Sequence, residues 1–271
     1  MDLGHAILLT GIGLFVGFIG TLIGAGGGFI LVPLLLLILP DLRPEVITSI
    51  SLGVVFLNAA SGSIAYAKMK RIDYRSAFAF ALATLPGAIL GAYSTSYIPH
   101  RLFDLSLGVV LILIAAFLLI RPHFNQQFQS GEGSKLAYRE VTDYNGHHYE
   151  YSFNMKTGVI LSFVVGYLSS VLGIGGGIIH VPVLTSLLNF PIHVATATSH
   201  LILAIMAIAG TIVHIFQGNL NGQWLTVLYI GLGVIAGAQG GAHFSHYAKP
   251  DWIIKALAFA LLLVGVRIIF M

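Results

Sequence analysis

Apolar residues run through this chain in long blocks, at roughly 4–23, 29–39, 46–67, 76–97 and 102–120, and again at roughly 156–173, 178–189, 194–216, 224–245 and 252–270. Each set holds four blocks close to the roughly twenty residues that a helix needs to cross a bilayer. Each set also holds one block of about a dozen residues. As a helix that block rises only about 18 Å, too little for a hydrocarbon core of roughly 30 Å. Between the two sets lies a polar stretch, 121–155. The pattern predicts an all-α polytopic membrane protein of eight to ten helical segments. Its parts are a first transmembrane repeat, 1–120, a cytoplasmic linker, 121–155, and a second transmembrane repeat, 156–271.

The two sets are copies of one plan. Gly17-Phe-Ile-Gly20-Thr-Leu-Ile-Gly24-Ala-Gly26-Gly27-Gly28-Phe-Ile-Leu-Val32-Pro33 returns as Gly166-Tyr-Leu-Ser-Ser-Val-Leu-Gly173-Ile-Gly175-Gly176-Gly177-Ile-Ile-His-Val181-Pro182, with the same spacing throughout. Further on, Thr48 and Ser51 align with Thr196 and Ser199, Gly62 with Gly210, and Gly91 with Gly237. In each copy the glycines fall just before the short block, so each half reads as a span broken by glycine and followed by a half-helix. Doubled broken helices are a recurrent plan among transporters, with the substrate held at the breaks.

Composition fits a lipid environment. Only 8% of the residues are charged and the mean hydropathy is +0.92, against about a quarter charged in a soluble domain. The N-terminal Met1-Asp2-Leu3-Gly4-His5 lacks the basic region of a cleavable signal, so the first block reads as a permanent span. Lys68, Lys70, Arg71 and Arg75 crowd one short loop, which the positive-inside rule assigns to the cytoplasm. Arg121 and Lys156 flank the linker, placed on the same side by an even number of crossings. The matching loop of the second half, Gln217 to Gln223, is uncharged. If the half-helices count as crossings the repeats are inverted, and if they do not the repeats are parallel. The charge asymmetry favours inversion. In the linker, Leu136–Tyr144 and His147–Phe153 are rich in Tyr, Val and Thr and are joined by Asn145-Gly146, which predicts a small β-hairpin. The basic residues sit in loops, as membrane orientation requires, and do not suggest a nucleic-acid partner.

The candidate chemistry is anion binding without a cation. Gly24, Gly26, Gly27, Gly28 and their mates Gly173, Gly175, Gly176, Gly177 can leave helical geometry in mid-membrane. The half-helix after each cluster would start with free N–H groups and the positive end of its dipole. No Lys or Arg lies within the spans of the first half, and Lys255 and Arg267 lie near the ends of the last block, where they can snorkel. Thr48, Ser51, Asn58, Thr196, Ser199 and His200 could complete an anion's shell, or could instead bond between helices. Gly13, Gly17 and Gly166 fit close helix packing, and Pro33 and Pro182 a kink in each half-helix. Histidines crowd the second half, and His200, beside the repeated Thr/Ser stretch, is the best candidate for moving a proton with the anion, while His193 and His246 read as interfacial. There is no cysteine, no metal-ligand spacing and no Ser-His-Asp set, so neither a cofactor nor an enzyme is expected.

The doubled Gly-x-x-x-Gly-x-Gly-Gly-Gly-x-x-x-Val-Pro, at 20–33 and, with Ser169 in place of the first glycine, at 169–182, resembles the TauE/SafE sulfite exporter family, also called the toluene sulfonate uptake permease family. The resemblance spans almost the whole chain. It implies a multi-pass inner-membrane transporter of a small sulfur-containing anion, with the bilayer and that anion as partners, protons as a candidate coupling ion and a homo-oligomer as a candidate assembly. A passive anion channel, or a carrier of another small anion such as a carboxylate, is the alternative. The long central hairpin departs from the short linker that the resemblance implies.

Overall fold

The computed structural model describes residues 3–120, 136–245 and 250–270. The first half holds α1 (Leu3–Ile23), α2 (Gly28–Ile38), α3 (Pro44–Lys68), α4 (Tyr74–Thr95) and α5 (His100–Ile120). A hairpin of β1 (Ala137–Thr142) and β2 (His148–Phe153) follows. The second half holds α6 (Met155–Leu172), α7 (Gly177–Leu187), α8 (Ile192–Phe216), α9 (Trp224–Phe244) and α10 (Pro250–Ile269). Among the described residues, seven helices (α1, α3, α4, α5, α6, α8, α9) are long and apolar enough to cross a membrane, and α2 and α7 are short apolar helices of 11 residues each. Arg121, His246 and the side chain of Lys255 lie outside the described residues.

Local chemistry sets the boundaries. Gly24 (φ 85°) and Gly173 (φ 65°) end α1 and α6 in the left-handed region, where a side chain would be strained. Pro44 opens α3, where its missing N–H costs no helical bond. Asp73 Oδ1 accepts from the Ser76 N–H and caps α4, and Asn154 Oδ1 accepts from the Lys156 and Thr157 N–H groups and caps α6. Pro33 and Pro182 lie inside α2 and α7.

The halves interlock by exchange. α1 packs on α9 and α4 packs on α6. Gly13 meets Ile230, Gly17 meets Val234 and Phe18 meets Gly241, so α1 and α9 run the same way. Phe80 meets Gly158 and Gly91 meets Tyr167, so α4 and α6 also run the same way. A Cβ on Gly13 would lie 2.1 Å from the Ile230 carbonyl oxygen; its absence lets the two backbones touch, as small residues do between helices in lipid. α3 and α8 form the centre and run oppositely: Leu52 meets Gly210, and Gly62 meets His200. α5 and α10 also run oppositely, with Gly108 against Ile269 and Ile112 against Gly265.

The hairpin is a docked element. β1 and β2 pair antiparallel from Ala137↔Phe153 to Thr142↔His148, and Gly146 (φ 83°) serves the turn. Tyr151 and Phe153 bury their rings against Phe190, just before α8, at centroid distances of 4.4 and 4.9 Å. Phe80 of α4 packs on Phe153 at 5.8 Å. The Tyr144 N–H donates to the Met69 carbonyl at 3.0 Å, and Arg71 pairs with Asp143 at 3.5 Å. The hairpin therefore sits on α4 and the basic loop before it in the first half, and on the segment just before α8 in the second.

Candidate functional site

The two glycine breaks meet. A Cβ on Gly28 would lie 2.5 Å from the Ile174 carbonyl oxygen and 2.8 Å from that of Gly173. A Cβ on Gly177 would lie 2.4 Å from the Gly24 carbonyl oxygen. Each break also touches the central helix of the other half, Gly24 against Thr196 and Gly173 against Thr48. Gly26 meets Leu203 and Gly175 meets Val55, near the middles of α8 and α3. Gly27 packs on Val16, so the chain doubles back along α1 before α2 begins. All eight glycines of the two clusters are buried.

The backbone at this crossing is unlike a helix. Positive φ occurs at Gly24, Gly26 and Gly27 in one break, and at Gly173 and Gly175 in the other. Gly176 differs from its mate Gly27, with helical angles of φ −59° and ψ −15°. At the start of α2 the N–H groups of Gly28 and Phe29, and at the start of α7 those of Gly177 and Ile178, have no backbone acceptor among the described residues. Free N–H groups at a helix start, backed by the helix dipole, attract negative charge.

Of the hydroxyl side chains singled out in the sequence, Ser51, Ser199 and Thr48 face this crossing and are already bonded. Ser51 Oγ donates to the Gly173 carbonyl at 2.6 Å, and Ser199 Oγ donates to the Gly24 carbonyl at 3.4 Å. Each serine thus ties its own half to the other half's break. Thr48 Oγ1 donates within its own helix to the Glu45 carbonyl at 3.1 Å.

Asn58 and His200 lie in a separate, fully buried cluster beside the first break. Thr21 Oγ1 donates to Asn58 Oδ1 at 3.0 Å and lies 3.3 Å from His200 Nε2. The Tyr66 hydroxyl donates to the Thr21 carbonyl at 2.8 Å, and its ring meets His200 edge-on at 5.4 Å. Asn58 Nδ2 has no hydrogen-bond partner, and the His200 ring also faces backbone groups of Thr196 and Gly24. Thr21 and Tyr66 were not marked from sequence. A signal for Thr21 did exist, because Thr21 and Ser170 are the polar residues at equivalent places in the two glycine motifs. Of the other histidines, His180 is buried with its Nε2 3.2 Å from Ser162 Oγ, and His193 is half-buried at the start of α8.

Comparison with known proteins agrees with this architecture. The family described as sulfite exporter TauE/SafE matches residues 9–268. The chain is 32% identical to the probable membrane transporter protein YunE of Bacillus subtilis over 270 residues, 97% of each chain. It is 25% identical to a probable membrane transporter protein of Methanocaldococcus jannaschii, over 83% of this chain and 78% of that one. A probable membrane transporter protein of Xylella fastidiosa is 25% identical, over 99% of this chain and 95% of that one. No solved structure matches the chain. With its doubled glycine break and its full-length match, this chain belongs to the sulfite exporter TauE/SafE family.

Proposed function

We propose that the protein is a secondary transporter that exports a small sulfur-containing oxyanion, sulfite or an organosulfonate, across the cytoplasmic membrane. The observation that carries this reading is the meeting of the two glycine breaks, which brings the unbonded N–H groups of Gly28, Phe29, Gly177 and Ile178 to one crossing. Two helix starts converging from opposite halves can hold an oxyanion with backbone dipoles alone. Relatives named as membrane transporters support a carrier over an enzyme.

The halves act as inverted repeats. Parallel α1/α9 and α4/α6 contacts, with antiparallel α3/α8 and α5/α10 contacts, fit a half turn about an axis in the membrane plane. In the conformation described, the crossing is packed shut, and Ser51 and Ser199 lock each break to the opposite half. Alternating access would break one of these locks at a time, and the freed hydroxyl and glycine N–H groups would take the anion. His200 is the proton carrier in this reading: its imidazole bonds Thr21 and faces backbone groups of Thr196 and Gly24 at the first break.

The test is sulfite flux into proteoliposomes, with and without an imposed pH gradient, with sulfate, acetate and an organosulfonate as competitors. Saturable flux, driven above the sulfite gradient by the pH gradient and blocked by the sulfonate, is the expected result. Flux that only ever follows sulfite's own electrochemical gradient would favour a channel over a coupled carrier. Flux of acetate without sulfite would overturn the substrate and keep the architecture.

A further inference from the structure

Three fully buried polar atoms of the second half have no hydrogen-bond partner: Ser169 Oγ and Ser170 Oγ, just before the second break, and His214 Nε2, near the end of α8. Buried polar groups in folded proteins are nearly always bonded, so unbonded ones that follow one another along a helix interface point to a ligand. Ser169 Oγ faces Gly176, lying 3.1 Å from where a Cβ there would stand. Ser170 Oγ faces Gly210, lying 3.0 Å from the corresponding point, and His214 is one helical turn after Gly210 on α8. His214 lies near the end of α8 that meets Ser49, at the start of α3, away from the basic loop; Ser170 faces α8 one turn further in, at Gly210, and Ser169 of α6 lies by Gly176 and Met206.

The chemistry of these atoms selects the ligand. Asn219 Nδ2 donates both to Gln217 Oε1 at 3.1 Å and to His214 Nδ1 at 3.0 Å. His214 Nδ1 is therefore an acceptor, and the proton of the neutral ring sits on Nε2. The unspent groups are two hydroxyls and one imidazole N–H, all able to donate. The hydroxyl oxygens can also accept, but the imidazole N–H, fixed as a donor, opposes a metal cation or sodium. A small oxyanion, which presents only acceptors, fits.

The other half explains why the arrangement stands out. Ser170, Gly210 and His214 are the repeat mates of Thr21, Gly62 and Tyr66. In that first cluster the Tyr66 hydroxyl donates to the Thr21 carbonyl and Thr21 Oγ1 donates to Asn58, which leaves Asn58 Nδ2 unbonded. In the second cluster Met206 replaces Asn58, and neither serine hydroxyl nor the imidazole N–H has an acceptor.

We propose that Ser169, Ser170 and His214 form a second oxyanion station, which takes the transported anion between the glycine crossing and the end of the protein away from the basic loop. The inference rests on the transport reading above and adds a place where the anion is held on its path. The free N–H groups of Gly177 and Ile178, at the start of α7, would pass the anion to these donors.

The experiment compares wild-type protein with a Ser169→Ala/Ser170→Ala variant, measuring the KM for sulfite in proteoliposomes and the thermal midpoint in detergent. Both hydroxyls lack a bond in the folded state, so their removal leaves the midpoint unchanged or raises it. The expected KM rises at least tenfold. A KM within twofold of wild type, with wild-type flux intact, overturns the station and leaves the transport reading standing. Absence of sulfite flux in the wild type itself overturns the transport reading, and the station falls with it.

Discussion

Gly176 and Gly177 are neighbours with the same side chain and different constraints. A Cβ on Gly177 would sit 2.4 Å from the Gly24 carbonyl oxygen and 2.6 Å from the Ala25 Cα, both backbone of the other half. A Cβ on Gly176 would meet its nearest atom, the Ser169 side-chain oxygen, at 3.1 Å, and the backbone angles there are helical. Gly177→Ala therefore forces the two breaks apart, at a cost of about 1–3 kcal/mol by overpacking. Gly176→Ala should change stability by less than about 1 kcal/mol. Flux and thermal midpoint measured side by side check the contrast: Gly177→Ala loses both, and Gly176→Ala keeps both. Equal loss in the two variants would mean that the glycines matter as a flexible run rather than as a contact between halves. The repeat of the glycines was plain in the sequence, because three in a row are costly in a helix. Their division of labour was not, since φ and cross-half distance are properties of the packed structure. The same limit applied to Ser51 and Ser199. Their recurrence was visible, but that each bonds the opposite half's break was not, because a sequence shows which donors exist and not which acceptor they reach.

At the scale of elements, the hairpin is the part whose form was most legible and whose purpose was least so. Asn145-Gly146 between two β-rich runs marked it, and the strands fall within the predicted bounds. Its mooring was not legible. Asp73 caps α4, accepts from Tyr151 at 2.7 Å, pairs with Arg139 at 3.5 Å, and receives at its own N–H an acceptor, Thr198 Oγ1 of α8, at 3.1 Å. One residue thus joins the hairpin, the first half and the α8 segment that carries Thr196, Ser199 and His200. Tyr151→Phe removes a bond to a charged group, worth about 1.5–3 kcal/mol, and should speed proteolytic nicking at the hairpin turn roughly tenfold or more. Burial and the neighbouring Asp73 carboxylate push the Tyr151 phenol above its ordinary value of 10.0. A raised folded value means that the bond's contribution is complete below pH 10 and is lost only as pH rises through that higher value. Protection of the turn should therefore be the same at pH 9.5 as at pH 7.5. A loss of protection between those two values would show that the phenol ionises as if exposed and that the mooring is not formed.

For the whole molecule, the inverted arrangement makes the most exacting claim, because it fixes which loops share a side of the membrane. The direction of the α3/α8 contacts sets the end of α3, with its Lys68 and Lys70, against the start of α8, and the start of α3 against the loop after α8. The positive-inside rule then puts Lys70 in the cytoplasm and Asn221, in the uncharged loop between α8 and α9, outside. Parallel repeats would put these two repeat-equivalent loops on the same side, a difference that hydropathy alone could not register because it counts crossings without ordering contacts. The chain has no cysteine, so single substitutions report without background. In intact cells, Asn221→Cys should react with a membrane-impermeant maleimide, and Lys70→Cys should react only after permeabilisation. Both positions are in loops, outside the packed helices, so neither substitution disturbs the crossing of the breaks. Labelling of both from outside, or of neither, would end the inverted reading. With it would go the alternating exchange of Ser51 and Ser199 locks, because two breaks related by a parallel repeat would open toward the same side.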